Sequence, residues 1–285
     1  RLSLVGSEMR IRDSYPYSIN HWNSLGKCYL STNDYEEAHE AIDFALAIDD
    51  SNAEALTLKA FCYQQSGELQ KSCDYYLRLA EQQENKTRAY LALAKTYFEM
   101  QDYTSSIYYI EALLDNKDAL SKYELSELYG DIALCHAALK HIGVGQASIR
   151  RSLELNENDP DTLIVAGRFF LMEAKACNDE TAKAENQAKG ELYFRQALNL
   201  IMEDERLDYL FTIGAACFDT QNFKLAAQYY EQINREFPDN APATYFFLAY
   251  CYFYLEEAIS CMHYIAKMKH ELPDAYSNLG TSDSI

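Results

Sequence analysis

Apolar and polar positions follow the period of an α-helix along most of this chain. The stretch HWNSLGKCYLSTNDYEEA places Trp22, Leu25, Gly26 and Tyr29 three or four residues apart, which puts them on one face of a helix. The polar turn STND follows, and small and apolar residues then recur at helical spacing from Ala38. The stretch therefore predicts two antiparallel helices joined by a short turn.

The same unit recurs along the chain with a fixed period. Tyr29, Tyr63 and Tyr97 are each 34 residues apart, and other columns of the unit keep the same step. Looser copies are YGDIALCH, LIVAGRFF, LFTIGAAC and YFFLAYCY, and YSNLG at residues 276–280 begins a further copy. A fixed period of this length is typical of repeat proteins, in which each helix pair covers the apolar face of its neighbour.

Glycine and proline positions agree with this organisation. Gly67, Gly143 and Gly145 are predicted to lie in the turns within helix pairs, where glycine tolerates positive φ. All five prolines fall between units, where a helix must stop or start. The small residue at the position of Gly26 is expected to let the two helices of a pair approach closely.

A known family matches this pattern. The segment WNSLGKCY, residues 22–29, followed by Ala38, Ile42 and Ala45, resembles the tetratricopeptide repeat, and Pro238 matches the proline that ends its second helix. The resemblance extends over almost the entire chain. It implies an all-α fold, a right-handed α-solenoid of stacked antiparallel helix pairs known as a tetratricopeptide-repeat superhelix.

The predicted domain boundaries follow the repeats. Residues 17–273 should contain about seven helix pairs, with an insertion at residues 174–190 that reads as helix extension with a turn near residues 178–181. A shortened turn is expected at residues 254–257, and extra residues interrupt the repeat near DNKDAL. Two segments fall outside the repeats: residues 1–16, an irregular lead-in or the end of a preceding helix, and residues 274–285, the start of a further helix or a tail.

Composition narrows the class of partner. Hydrophobic residues at 48% provide a core, and 25 Lys and Arg against 44 Asp and Glu give a net charge of −19. Nucleic acid and anionic lipid carry the same sign, so neither is an expected partner. No apolar run is long enough to predict a membrane span. Eight cysteines without a Cys-x-x-Cys pair favour a reduced, cytoplasmic setting, with a removed signal peptide as the open alternative.

The residue types that support catalysis or metal binding do not form a recognisable site. Cys28, Cys62, Cys135 and Cys251 occupy one column of the repeat, so they are expected to pack as small apolar residues, and Cys177 is expected to be the most exposed thiol. No histidine pair has metal-ligand spacing, and no phosphate-binding loop or nucleophile motif occurs. The sequence predicts a protein that is not an enzyme and has no metal or cofactor.

The family resemblance places function in the concave groove formed by the first helix of each pair. Groove positions include several cations, in an otherwise acidic chain, and a group of aromatic residues near the C-terminal end. Exposed aromatic residues are common anchors at interfaces. The predicted peptide-binding residues are Asn23, Lys27, Lys95, Arg168, Phe211, Phe218, Phe246, Tyr250 and Phe253.

The functional hypothesis is a protein–protein interaction scaffold that holds a peptide or helix of a partner protein in this groove. Two alternatives stay open. One is a self-associating structural module, a homo-oligomer built through the aromatic end, and the other is a regulatory tetratricopeptide segment of a larger protein. Fold class does not choose among them, because fold does not specify the partner.

Overall fold

The structure is a computed structural model that describes residues 17–115 and 120–273, and it contains no β-strand in these ranges. The predicted lead-in at residues 1–16, most of the extra residues after Asp115 and the YSNLG segment lie outside the described residues. Fourteen α-helices occupy the described ranges, numbered here in chain order: α1 Ile19–Ser31, α2 Tyr35–Ile48, α3 Ala53–Gln65, α4 Leu69–Ala80, α5 Lys86–Glu99, α6 Tyr103–Leu114, α7 Lys122–Ala138, α8 Ile142–Leu155, α9 Pro160–Ala176, α10 Glu180–Leu198, α11 Arg206–Asp219, α12 Phe223–Glu236, α13 Tyr245–Tyr254 and α14 Ala258–Glu271.

The chain divides into two compact units, residues 1–120 and 121–285. In the first unit, hairpins α1–α2, α3–α4 and α5–α6 stack so that α3 contacts both α1 and α2, and α5 contacts α4. In the second unit, hairpins α7–α8, α9–α10, α11–α12 and α13–α14 stack in sequence order, and α9 contacts both α7 and α8. Each unit therefore has the all-α solenoid arrangement that the repeat pattern predicts. None of the described helices combines the length and apolar character needed to cross a bilayer.

Helix starts are fixed by polar side chains that accept hydrogen bonds from otherwise unpaired backbone N–H groups. Asn52 accepts from the backbone N–H of Ala55 at 3.0 Å, at the start of α3. Ser121 and Glu124 form a reciprocal capping box at the start of α7. Asp159 caps α9 immediately before Pro160, which suits the first helical position because it has no N–H to leave unpaired.

The glycines between paired helices have the steric role that the sequence predicts. A Cβ atom at Gly26 would lie 2.8 Å from Cγ1 of Ile42, and one at Gly214 would lie 2.9 Å from Cε1 of Tyr230. Real Cβ atoms do not approach other heavy atoms so closely. A larger residue at these positions would separate the two helices of the hairpin.

The turns differ from the sequence prediction in two respects. Gly67 has positive φ, as expected, but Gly143 and Gly145 lie inside α8, and Lys140 is the residue with positive φ in that turn. The predicted shortening at residues 254–257 is also wrong, because the turn after α13 has three residues, as the turn between α1 and α2 does. The irregularity lies before α13, where the 3-10 helix Pro238–Thr244 replaces the start of the helix.

The fifth hairpin is the longest of the hairpins described in the second unit. Helix α9 has 17 residues and α10 has 19. Residues 177–179 connect them, and Asp179 caps α10 through the backbone N–H of Ala182 at 2.8 Å. The residues of the insertion therefore lengthen the hairpin without adding a separate element.

Candidate interaction surface

In the first unit, two of the predicted groove residues meet a carboxylate of the next hairpin. The Asn23 Nδ2 group donates to Oδ1 of Asn52 at 3.1 Å and to Oε2 of Glu54 at 3.0 Å. Lys27 forms an ion pair with Glu54. The hydrogen bond that Glu54 accepts from Lys27, followed by the one from Asn23, holds the pKa of Glu54 below its ordinary value. Asn23, expected at the groove surface, is only 1% exposed, so Lys27 and Glu54 form the surface there.

The other two predicted cations differ in their surroundings. Lys95 lies on α5 and is exposed. In the second unit, Arg168 on α9 lies 3.5 Å from a carboxylate oxygen of Asp219 at the end of α11. Lys27 and Arg168 are thus already paired with acidic side chains of the chain itself.

Aromatic residues of α11, α12 and α13 form a connected surface, which we call the aromatic patch. Phe218 and Tyr250, both predicted, have ring centroids 5.0 Å apart. Phe223 and Tyr254, which the sequence analysis missed, stack at 4.8 Å. The rings of Tyr250 and Tyr254 are 4.8 Å apart. The members of the patch are Phe218, Phe223, Phe246, Tyr250, Phe253 and Tyr254.

Four rings of the aromatic patch are substantially exposed. Phe246 is 40% exposed, Tyr250 37%, Phe253 67% and Tyr254 52%. The Tyr250 hydroxyl donates to the Tyr254 hydroxyl at 3.3 Å, and this hydrogen bond raises the pKa of Tyr250. Phe211, also predicted for the site, is half-buried against the core, with its ring 6.5 Å from that of Tyr230. The structure thus brings four of the five predicted aromatic residues together, and Phe211 packs against the core instead.

The cysteine column is buried with one exception. Cys62, Cys135 and Cys251 are fully buried, as predicted, and burial raises the pKa of Cys62 to about 11. Cys28 is exposed, so the prediction is wrong for this residue. The Cys62 thiol lies 3.6 Å from the carbonyl oxygen of Tyr35 in the preceding hairpin, whereas no hairpin precedes Cys28 in the described part of the first unit. Cys177, expected to be the most exposed thiol, is half-buried.

Side chains suited to metal coordination do not come together in the described ranges. No group of three or more His, Cys, Asp or Glu side chains there could hold a metal ion. The surfaces described above consist of aromatic rings and ion pairs, and aromatic residues are enriched at protein–protein interfaces. The stacking of helix hairpins in sequence order within each unit is the arrangement of a helical-repeat protein.

Comparison with known families agrees with this class. Two family models, both described as tetratricopeptide repeat, match residues 23–86 and 87–118. Residues 23–118 therefore consist of tetratricopeptide repeats. Proteins of this family and fold are typically non-catalytic scaffolds that bind other proteins. None of the curated proteins compared with the chain matches it.

Solved structures show the same fold at low sequence identity. A tetratricopeptide repeat protein from Parabacteroides merdae ATCC 43184 is 12% identical, with a TM-score of 0.63 over 80% of this chain and 83% of that chain. PilW, described as a widely conserved type IV pilus biogenesis factor, is 17% identical, with a TM-score of 0.53 over 77% of this chain and 94% of that chain. PilF from Pseudomonas aeruginosa is 18% identical, with a TM-score of 0.51 over 77% of this chain and 92% of that chain.

Proposed function

We propose that this protein is an interaction scaffold that binds a segment of a partner protein on the aromatic patch. The observation that carries the proposal is the exposure of Phe246, Tyr250, Phe253 and Tyr254 on one short helix. Single exposed apolar residues are common on protein surfaces, whereas contiguous apolar patches usually mark a binding site. Buried aromatic anchors also supply much of the binding energy at protein interfaces.

The groove cations have a secondary role in this proposal. Lys95, which is exposed, meets an acidic group of the partner. Lys27 and Arg168 contact an acidic group of the partner either in addition to their ion pairs with Glu54 and Asp219 or in place of them. These contacts contribute little affinity, because ion pairs at the surface are solvated. Asn23 holds Glu54 in place beside Lys27 and does not contact the partner directly.

The test is affinity capture from the native cell, followed by binding measurements with the purified partner. The double variant Phe246→Ala/Tyr250→Ala should lose the partner and weaken binding at least about tenfold, since aromatic anchors commonly carry this much energy. The control is Tyr108→Ala on α6, which removes a ring that is 63% exposed and distant in sequence from the patch. Identical captured proteins for wild type and the double variant would refute the proposal.

Self-association is the outcome to be separated from partner binding. Sedimentation equilibrium of the purified chain measures its mass across a range of concentrations. A mass that stays at one chain, together with capture that depends on the patch, supports the scaffold. A concentration-dependent mass that Phe246→Ala/Tyr250→Ala abolishes would replace the scaffold with the self-associating module.

A further inference from the structure

Between successive hairpins of the first unit, backbone carbonyl oxygens accept hydrogen bonds from the following hairpin. Nη2 of Arg78, on α4, donates to the carbonyl oxygen of Asp50 at 2.7 Å. Nε2 of Gln82 donates to the carbonyl oxygen of Ser51. The guanidinium carbon of Arg78 also lies 5.3 Å from the centroid of the Tyr75 ring, close enough for a cation–π contact. Arg78 is therefore held between a tyrosine ring and the connection that precedes α3.

The last hairpin places a cation on the same tyrosine column. Tyr264 and Lys267 on α14 occupy the repeat positions of Tyr75 and Arg78. Nζ of Lys267 lies 5.6 Å from the centroid of the Tyr264 ring. In both hairpins the cation follows the tyrosine by three residues, nearly one helical turn, which brings the two side chains together.

The register of α10, which follows the insertion, is fixed by its close packing on α9. A Cβ atom at Gly190 would lie 2.9 Å from the carbonyl oxygen of Gly167. In the preceding hairpin, a Cβ atom at Gly145 would lie 3.4 Å from the carbonyl oxygen of Ala133. Gly145 and Gly190 therefore share one column of the repeat, which Ser72 occupies in α4.

The fifth hairpin keeps the tyrosine of this arrangement and lacks the cation. Tyr193 on α10 has the position of Tyr75, and its ring stacks on Phe170 with centroids 5.6 Å apart. Gln196 replaces Arg78, and its side chain makes no hydrogen bond with the described part of the chain. Among the described residues no cation lies over the Tyr193 ring.

The connection before α9 keeps the backbone acceptors. Counted back from the N-caps of α3 and α9, Glu157 and Asn158 correspond to Asp50 and Ser51. Both residues are exposed. Within residues 17–115 and 120–273, no group donates a hydrogen bond to either carbonyl oxygen.

Tyr193, Gln196 and this connection line one cleft between α8 and α10. Its volume is about 590 Å³, and Leu153 and Leu163 contribute apolar surface to it. A volume of this size lies within the range of sites that bind small groups. The cleft therefore combines a tyrosine ring with backbone acceptors at the place that Arg78 occupies in the first unit.

We propose that this cleft binds the guanidinium group of an arginine side chain from a partner protein. The guanidinium lies against the ring of Tyr193 and donates to the carbonyl oxygens of Glu157 and Asn158. Arg78 uses its own ring and carbonyl in the same way. A planar group with five N–H donors reaches several acceptors while its face stacks on the ring. The site goes beyond the proposed function, because it lies on other helices than the aromatic patch.

Charge at the cleft favours a cationic side chain. Glu154 and Glu157 are among the lining residues, and Arg150 is the opposing cation. Glu154 pairs with Arg151 at 3.1 Å, whereas Glu157 makes no ion pair within the described ranges. The net charge of −19 disfavours an acidic ligand. Arginine is favoured over lysine, because its planar group stacks on aromatic rings and its donors are spread over three nitrogens.

The probe is the peptide acetyl-Gly-Arg-Gly-amide, and two control peptides replace its arginine with citrulline or with lysine. Citrulline keeps the shape of the side chain without the charge, and lysine keeps the charge without the planar group. NMR titration of the full chain, followed at the side-chain amides of Gln196 and Asn158, measures binding. Each control peptide should bind at least about threefold more weakly. Equal binding of either control peptide, or no saturable shift with the arginine peptide, would overturn the proposal.

The variant Gln196→Arg copies the arrangement of the first unit. Its own guanidinium should occupy the cleft, so the arginine peptide should bind at least about tenfold more weakly and the urea midpoint should rise. The control is Asn178→Arg, which adds the same charge at an exposed position of the same hairpin. It should leave both measurements unchanged. A Gln196→Arg chain that binds the arginine peptide as the wild type does would contradict the proposed site.

Three further variants test the ring and the charges. Tyr193→Leu keeps an apolar side chain and should weaken binding at least about threefold. Glu157→Gln changes an exposed residue and should weaken binding about twofold. Arg150→Gln removes the opposing cation and should leave the affinity equal or higher. Unchanged binding by both Tyr193→Leu and Glu157→Gln, or loss of binding in Arg150→Gln, would refute the assignment. None of these changes touches the aromatic patch, so failure of the patch variant leaves this site standing, and the reverse also holds.

Discussion

Gly167 on α9 provides the sharpest test of close helix packing within a hairpin. A Cβ atom at this position would lie 2.4 Å from Cε1 of Phe194 on α10, and 2.6 and 2.9 Å from two further atoms of the same ring. Phe194 is fully buried, so its ring has no solvent into which it can move. The variant Gly167→Ala must therefore either separate the helices or force the ring out of its position.

The expected cost combines two opposing effects. Overpacking a core usually costs about 1–3 kcal/mol, and three close contacts with a buried ring place this site at the upper end. Alanine gains up to about 1 kcal/mol over glycine in helix propensity. We therefore expect Gly167→Ala to lower the free energy of unfolding by about 1–2 kcal/mol. Gly143→Ala on α8 is the control: a Cβ there meets nothing within 4 Å. It should stabilise by about 0.5–1 kcal/mol.

Urea unfolding followed by far-UV circular dichroism measures both changes as shifts in the transition midpoint. Adding Phe194→Leu to Gly167→Ala removes the ring that the new methyl group meets. The cost of Gly167→Ala should then fall by about 1 kcal/mol or more, because the two side chains are in direct contact. If Gly167→Ala and Gly143→Ala shift the midpoint in the same direction, or if Phe194→Leu leaves the cost unchanged, the steric explanation is wrong.

Three further predictions test burial. In the native protein at pH 8, iodoacetamide should modify Cys28 well before Cys62, because Cys28 is exposed and burial raises the pKa of Cys62 to about 11. Peptide mass spectrometry measures the two labelling rates, and faster labelling of Cys62 would contradict its packing. Burial raises the pKa of Glu173 in the folded protein. The free energy of unfolding therefore falls as the pH rises from the pKa of this carboxyl group in the unfolded chain to its pKa in the folded protein. Glu173→Gln should therefore raise the urea midpoint at pH 7 but not below about pH 4, and an equal effect at both would refute this. Phe253→Ala should change the unfolding free energy by less than about 0.5 kcal/mol, because the ring is exposed, and a larger loss would place it in the core.

The fold class was predictable because the sequence repeats its helical pattern. The spacing of Trp22, Leu25 and Gly26 depends only on helix geometry, and the structure buries Trp22 and Leu25 against the second helix of the hairpin, as expected. The residue with positive φ in each turn was less predictable. Lys140 and Gln221 adopt that conformation although both have side chains, because a three-residue turn between packed helices requires it and packing outweighs the small local cost.

The candidate site was predictable in part. Tyr250 and Phe253 follow from the repeat register, and Tyr254 could have been added, because it lies four residues after Tyr250 on the same helix face. The ion pair of Lys27 with Glu54 was not predictable. It joins two hairpins, and the side-chain direction that brings these residues together depends on how one hairpin packs on the next.

Residues in one repeat column can have opposite exposure, and this difference locates the surfaces available for binding. Cys28 is exposed and Cys62 is buried, although the two share a column. The sequence determines which residues face a neighbour, but the presence of that neighbour determines burial. In a stack of hairpins each internal face is buried against the neighbouring hairpin. A face without such a neighbour keeps the shape and apolar character of an interface between hairpins.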